Sequence, residues 1–282
     1  MLSYRHAFHA GNHADVLKHA VISILFEQLK QKDKPFCYLD THSGGGCYDL
    51  TGEWAQKKSE FIDGIGRLWQ EQDQWPELAA YFNCIKAVNP DEELHFYPGS
   101  PEIARSLLRE QDRLVLMELH NSEIEVLRQH MARDPRTAIH HRDGFEGLVG
   151  VTPPTPRRGV ALIDPPYELK EDYFQVVKTV EKTIKRWSVG MIAIWYPILG
   201  QEADRSAGMI KALSKTGLPF VTAELCVQEQ STTWGMHGSG MAVINSPWQF
   251  DQKMQSLLPK LCAKLALNEH ASYSVQIYNP QA

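Results

Sequence analysis

The run Gly159-Val160-Ala161-Leu162-Ile163 is apolar throughout and stops abruptly at Asp164-Pro165-Pro166-Tyr167. A short run with no polar alternation reads as a strand buried on both faces, as in a parallel sheet covered by helices. The two prolines fix φ and remove two N–H donors, so the strand ends there. The loop beyond it offers acceptors only, the Asp164 carboxylate and the Pro165 carbonyl, with the Tyr167 ring next in line. Taken alone, this is a strand and a proline turn. Placed at the end of a buried strand, it is also a means of holding an exocyclic amine by its N–H groups while an extruded base stacks on the ring.

The same arrangement recurs along the chain. Phe36-Cys37-Tyr38-Leu39-Asp40 is followed by Thr41-His42-Ser43-Gly44-Gly45-Gly46. Glycines such as Gly44 accept positive φ and let backbone approach a ligand. A glycine loop after the first strand of a doubly wound sheet is where nucleotide-like ligands sit. The loop is neither G-x-G-x-x-G nor a P-loop. It is closer to the D-x-F-x-G-x-G loop of enzymes that use S-adenosylmethionine (SAM), with His42 in the aromatic position. Glu118 ends the next run, where a carboxylate accepts from ribose hydroxyls. Asp143-Gly144 follows another, placing an acceptor for an adenine amine beside a residue without a side chain. Each acid alone is more often a cap or a turn residue. At successive strand ends they form a set.

Candidate strands fall at 36–40, 113–119, 137–141, 159–163, 191–196, 219–225 and 241–245, most of them separated by helical patterns. That alternation predicts a Rossmann-like α/β fold with a mostly parallel twisted sheet. No helical pattern lies between the last two runs, which therefore read as a terminal antiparallel hairpin, and 271–278 reads as one further strand or a tail. Glu118 arrives far later than the ~20 residues after the glycine loop usual in such folds. Residues 50–94, with Trp54, Phe61, Leu68, Trp69, Trp75 and Tyr81 at helical spacing, therefore read as an inserted helical subdomain within a single domain spanning 1–282. Residues 12–30 read as a helix capped by Asn12, with Leu17, Ala20, Val21, Ile24 and Leu25 in one stripe. Lys18 falls on the flank of that stripe and His19 opposite it, so the pattern places neither in the core.

No apolar run approaches the ~20 residues of a membrane span, and the His-rich beginning is unlike a secretory leader. The five cysteines are scattered without a C-x-x-C pair, which suits reduced thiols and a cytoplasmic protein. A net charge of −5 argues against a general polyanion binder. Basic residues nevertheless cluster, as in Lys30, Lys32, Lys34 and in Arg105, Arg109, Arg113, leaving room for a local positive surface.

With its D-x-H-x-G-x-G loop and D-P-P-Y, the chain resembles the amino-methyltransferases. The segment Met1-Leu2-Ser3-Tyr4-Arg5-His6-Ala7-Phe8-His9-Ala10-Gly11-Asn12-His13-Ala14-Asp15-Val16-Leu17-Lys18-His19 narrows the likeness. With Tyr97-Pro98-Gly99-Ser100-Pro101 and Trp195-Tyr196-Pro197 added, the chain resembles the RlmJ (YhiR) family over essentially its whole length. The resemblance implies SAM-dependent methylation of the N6 amine of an adenosine in 23S ribosomal RNA, with no obligate protein partner. It implies SAM contacts from Lys18, His19, His42, Ser100, Glu118, Asp143, Gly144 and Asp164, and makes residues 1–19 an N-terminal motif. Tyr4 and His6 then belong to a lid over cofactor and target base, with Tyr4 near the substrate, and Lys18 pairs with the cofactor carboxylate or with RNA phosphate. Asp164, Pro165 and Tyr167 form the catalytic set. Ser100 before Pro101 also reads as a helix cap. Three other readings remain: a DNA adenine methyltransferase, a non-catalytic SAM- or RNA-binding protein, and a His/Asp metal hydrolase built on His9 and His13. The intact D-P-P-Y disfavours the second, and the absence of a matching third ligand disfavours the last.

Overall fold

The computed structural model describes residues 8–131, 133–232 and 235–279. In chain order the elements are α1 (His13–Lys30), β1 (Cys37–Asp40), β2 (Cys47–Asp49), α2 (Glu53–Lys58), α3 (Ile65–Trp69), α4 (Ala79–Val88), β3 (Phe96–Pro98), α5 (Ser100–Leu107), β4 (Arg113–Glu118) and α6 (Asn121–Met131). They continue with β5 (Thr137–His141), α7 (Gly144–Val151), β6 (Gly159–Ile163), α8 (Lys170–Arg186), β7 (Met191–Leu199), α9 (Ser206–Ser214), β8 (Phe220–Cys226), β9 (Met236–Ile244), α10 (Phe250–Leu265) and β10 (Ser272–Tyr278).

The main sheet has the order β10-β8-β9-β7-β6-β1-β4-β5. β1 lies between β4 and β6 and is parallel to both; the β4–β5 and β6–β7 pairs are also parallel. β7, β9, β8 and β10 pair antiparallel in turn, so the expected hairpin is present and is extended by the last strand. The chain fills the sheet from β1 outward through β4 and β5, then returns to build β6 and β7 on the other side of β1. The loops after β1, β4 and β6 therefore diverge around one crevice at the carboxyl edge, the usual ligand position in open α/β sheets.

Apolar clusters cover both faces of the sheet. One joins α1, α4, α5 and α10, with Phe26, Phe36, Tyr38, Tyr81 and Tyr97 among its buried rings; the other joins α8 and α9 through Tyr173, Trp187 and Tyr196. β9 begins five residues before the run expected at 241–245. Gly238 and Gly240 break the apolar pattern there, and each is needed for packing. A Cβ on Gly240 would come within 2.3 Å of the Tyr196 ring, and one on Gly238 within 2.3 Å of the Leu225 carbonyl. The two-stranded β2–β3 pair was not legible, because three residues a side leave no period to read.

Between β2 and β3 lie α2, α3 and α4, and Leu68, Trp69, Trp75, Leu78, Tyr81 and Ile85 from this stretch join the core cluster that contains α1. This explains a correction to the helix reading. Lys18 and His19 are 4% and 1% exposed, not solvent-facing. A single apolar stripe presumes one covered face, but α1 packs on β7 and β9 on one side and on α4 and α5 on the other. His19 Nδ1 lies 2.7 Å from the Tyr97 hydroxyl, which in turn meets the Tyr81 hydroxyl at 2.9 Å. Asn12 caps α1 as expected, its side chain accepting from the Ala14 and Asp15 amides. The Arg109 cluster is not a free basic strip. Arg109 contacts Asp112 and Asp33, and Arg105 contacts Glu102.

Asp112 anchors the start of both central strands. It is fully buried, accepts from the Phe36 amide at 3.0 Å and the Arg109 amide at 2.9 Å, and pairs with Arg109 Nε at 3.0 Å. Breaking one side of such a network typically costs several kcal/mol. Asp112→Ala is expected to lower unfolding free energy by about 3 kcal/mol in denaturant titration, with Asp112→Asn losing less. Unchanged stability in the Ala variant would mean that the strands are registered by their apolar faces alone.

Candidate active site

The crevice opens into a cavity of about 340 Å³, bordered by the loops after β1, β4, β5 and β6 and by α1. Lys18, His19, His42, Gly44, Ser100, Glu118, Asp143, Gly144, Asp164 and Pro165 all line it. The structure thus gathers on one surface every cavity-side residue singled out in the sequence, although they are spread over almost 150 positions. Tyr4 and His6 lie outside the described residues.

Each group is held for a local reason. Gly44 adopts φ +59, and a Cβ there would fall 2.3 Å from the Tyr48 hydroxyl. Its amide donates to Glu118 Oε2 at 2.7 Å, while Oε1 accepts from the His120 amide at 2.7 Å. Burial raises the Glu118 carboxyl above the ordinary Glu value, with the His120 and Gly44 amides opposing. Asp143 caps α7 by accepting from the Glu146 amide at 2.9 Å. Gly144 leaves no room for a side chain, since a Cβ would lie 2.0 Å from the Thr41 carbonyl. Burial lowers His42 to about 4, so its ring is neutral at physiological pH, and it packs edge-on against Phe145. Thr41 Oγ1 donates to the Leu162 carbonyl at 3.0 Å and lies 2.7 Å from His42 Nδ1. Because the threonine proton is already committed, the network assigns the imidazole proton to Nδ1 and leaves Nε2 as an acceptor.

Ser100 is not the helix cap that its place before Pro101 suggested; Gly99 occupies that position. The Ser100 hydroxyl instead donates to Asp40 Oδ2 at 2.6 Å, where the Tyr38 hydroxyl also donates at 2.9 Å. Asp40 is fully buried, and that burial raises its pKa to about 6 despite the hydrogen bonds it accepts. In the sequence Asp40 stands out only as a strand-ending acid. The signal was its position.

Asp164 meets α1. Its Oδ2 lies 2.7 Å from Lys18 Nζ, which also contacts Asp15 Oδ1 at 2.9 Å. Asp15, another residue missed, accepts from the Gly11 amide through Oδ2 at 2.9 Å. A second cavity of about 160 Å³ shares Lys18, Asp164 and Pro166 with the first, and its other walls include Asn12, Asp15, Tyr167, Trp195 and Pro197. Tyr167 differs from the freely offered ring of the sequence reading. It sits at φ +51, is 7% exposed, donates to the Trp195 carbonyl at 2.7 Å and packs on Tyr173 at 4.5 Å. It borders the second cavity only.

The first cavity fits SAM by its chemistry. Glu118 and Asp143 bring carboxylates to it, Gly44 and Gly144 leave backbone bare, and the walls are largely apolar. Among the described residues, the group with metal-ligating geometry is Asp91, Glu93 and His95, the two acids exposed and the histidine half-buried, and none of these lines either cavity. No helix of the described residues is long and apolar enough to cross a membrane.

The family model described as Ribosomal RNA large subunit methyltransferase D, RlmJ, matches residues 33–277. Ribosomal RNA large subunit methyltransferase J of Escherichia coli (strain K12) is 50% identical over 97% of this chain and 98% of its own length. The protein of that name from Haemophilus influenzae is 45% identical over the full length of both. A crystal structure of a protein from Legionella pneumophila superposes with a TM-score of 0.88 at 33% identity, covering 95% of this chain and 98% of that one. Sequence and architecture agree, and the chain belongs to the RlmJ family of ribosomal RNA large subunit methyltransferases.

Proposed function

We infer that this protein transfers a methyl group from SAM to the exocyclic N6 amine of one adenosine in 23S ribosomal RNA, in the cytoplasm. The observation that carries this reading is the acceptor-bearing Asp164-Pro165-Pro166 loop at the junction of two cavities, the first bordered by Gly44, Glu118 and Asp143 and the second by Trp195 and two prolines. SAM held in the first cavity supplies a methyl group on an electrophilic sulfonium. Glu118, Asp143 and the bare backbone at Gly144 hold its nucleoside end. His42, Ser100 and His19 border the remainder of the cavity.

The second cavity takes the extruded adenine, a placement that suits its Trp195, Pro166 and Pro197 walls. An aromatic amine is a weak nucleophile because its lone pair is delocalised into the ring. Lys18 occupies Asp164 Oδ2, and no hydrogen bond among the described residues uses Oδ1. Asp164 Oδ1 and the Pro165 carbonyl accept the two N–H groups of the amine, turning its lone pair toward the methyl donor. The proton released after transfer passes to Asp164 or to water. Positioning supplies most of the rate in this scheme. Tyr167 acts from beneath, bracing Trp195 through its carbonyl. Tyr4 and His6 are assigned to the lid over the base on the family resemblance.

Asp164→Asn is expected to lower methyl transfer to 23S rRNA by on the order of 10²-fold or more in a protein that still folds, with a lower unfolding temperature because Lys18 loses its charged partner. Duplex DNA offered to the wild-type protein is expected to remain unmethylated. Near-normal turnover in folded Asp164→Asn, or preferential methylation of DNA, contradicts the reading. A second measurement addresses the cofactor. Glu118→Ala removes an acceptor from buried donors and is expected to weaken SAM by roughly 1–3 kcal/mol in calorimetry, about 5- to 150-fold in Kd. Unchanged affinity would move the cofactor elsewhere along the sheet edge.

A further inference from the structure

Asp40 ends β1 beside the first cavity without bordering it. It is fully buried, and its carboxylate gathers three donors. Oδ2 accepts from the Ser100 hydroxyl at 2.6 Å and from the Tyr38 hydroxyl at 2.9 Å, and Oδ1 accepts from the His42 amide at 3.3 Å. An ionised carboxylate can only accept, so it draws both hydroxyl protons toward itself. Ser100, unlike Asp40, does border the cavity. With its proton committed inward, the serine oxygen keeps acceptor capacity alone.

The other titratable groups around Asp40 are committed. Burial holds Tyr38 well above the ordinary tyrosine value, so it keeps its proton. His42, lowered by burial to about 4, is neutral. On α5, Glu102 pairs with Arg105. On α1, Lys18 pairs with Asp164, and His19 meets the Tyr97 hydroxyl. Glu118, at the end of the neighbouring β4, accepts from the Gly44 and His120 amides. Burial, and to a lesser degree the Asp164 charge, push Asp40 up to about 6 against the hydrogen bonds it accepts. Asp40 is therefore mostly ionised at neutral pH and gains a proton under mild acid.

We propose that Asp40 is a positioning residue for the cofactor: by taking the Ser100 proton it makes the serine oxygen an acceptor for the α-ammonium group at the methionine end of SAM. Asp40 does not touch the cofactor. This rests on the nucleoside end lying at Glu118 and Asp143, which leaves the methionine end to Ser100. Protonation reverses the arrangement. A carboxylic acid carries a proton of its own to donate, Ser100 then accepts it, and the serine proton turns outward against the ammonium group. The ionised form is the one that binds, so the contact is complete above about 6 and is lost as pH falls through that value.

The test is calorimetry with S-adenosylhomocysteine and with its deamino analogue, in which hydrogen replaces the α-amino group. Nucleoside and carboxylate contacts are common to both ligands, so the titration of Glu118 cancels in the ratio of the two dissociation constants. In the wild type, the preference for the amino ligand is expected to be about 10-fold greater at about pH 7.5 than at about pH 5, the worth of one hydrogen bond from a charged donor. Ser100→Ala removes the acceptor, and Asp40→Asn can donate to Ser100 through its amide, imitating the protonated acid. Each is expected to show the low preference at both pH values, while the deamino analogue stays within about twofold of its wild-type affinity. A wild-type preference that does not change with pH overturns the proposal and leaves the cofactor cavity standing. So does a pH dependence that survives in Ser100→Ala, or the full preference retained in Asp40→Asn. Should Asp40→Asn fail to fold, the wild-type and Ser100→Ala profiles decide the matter. Wild-type protein that binds neither ligand contradicts the placement of the cofactor, and the proposal falls with it.

Discussion

Lys18 and Asp164 meet at 2.7 Å with side chains 5% and 13% exposed, 146 positions apart in sequence. A charge pair removed from water gains little unless its remaining valences are satisfied. Here Asp15 supplies a second carboxylate to Lys18 at 2.9 Å, and the Trp195 ring lies 5.8 Å from the ammonium. The pair ties the first helix to the loop after β6, and both residues border both cavities. It stands where a methyl donor on one side must face an amine on the other. Disturbing it affects helix, loop and both chambers together.

The topology explains why one interaction reaches so far. β1 lies between β4 and β6, so the loops leaving those strands part around it and leave a crevice. The glycine loop closes one side of that crevice, and α1, placed before β1, lies across the other. α1 must then be polar where it meets the crevice and apolar where it meets the sheet and α5. Lys18 and His19 satisfy the first demand while buried, through Asp164 and Tyr97.

Much of this was legible in the sequence because parallel strands buried on both faces read as unbroken apolar runs. β5 and β6 fall at the limits those runs suggested, and the acids after them fall at the crevice. What escaped had physical causes. Lys18 and His19 fell outside the core by pattern because periodicity reports one covered face, and α1 is enclosed on two. Ser100 read as a cap, yet its hydroxyl is drawn to Asp40, 60 positions away, a long-range bond that local pattern does not encode. Tyr167 read as an open platform, but a left-handed backbone turns it under Trp195. Asp15 gave no signal, since an acid in a first helical turn is ordinary until its partner is known.

The central claim is that the two cavities serve one transfer, from SAM to an adenine N6. It is tested most directly by the identity of the product. Purified protein, SAM bearing a deuterated methyl group and 23S rRNA from cells lacking this activity would be combined. The RNA would then be digested to nucleosides and analysed by mass spectrometry, with fragment mapping of the labelled position. The account predicts deuterated N6-methyladenosine confined to a single site. Label on a ribose oxygen, on adenine C2, on another base, or scattered over many adenosines would contradict it.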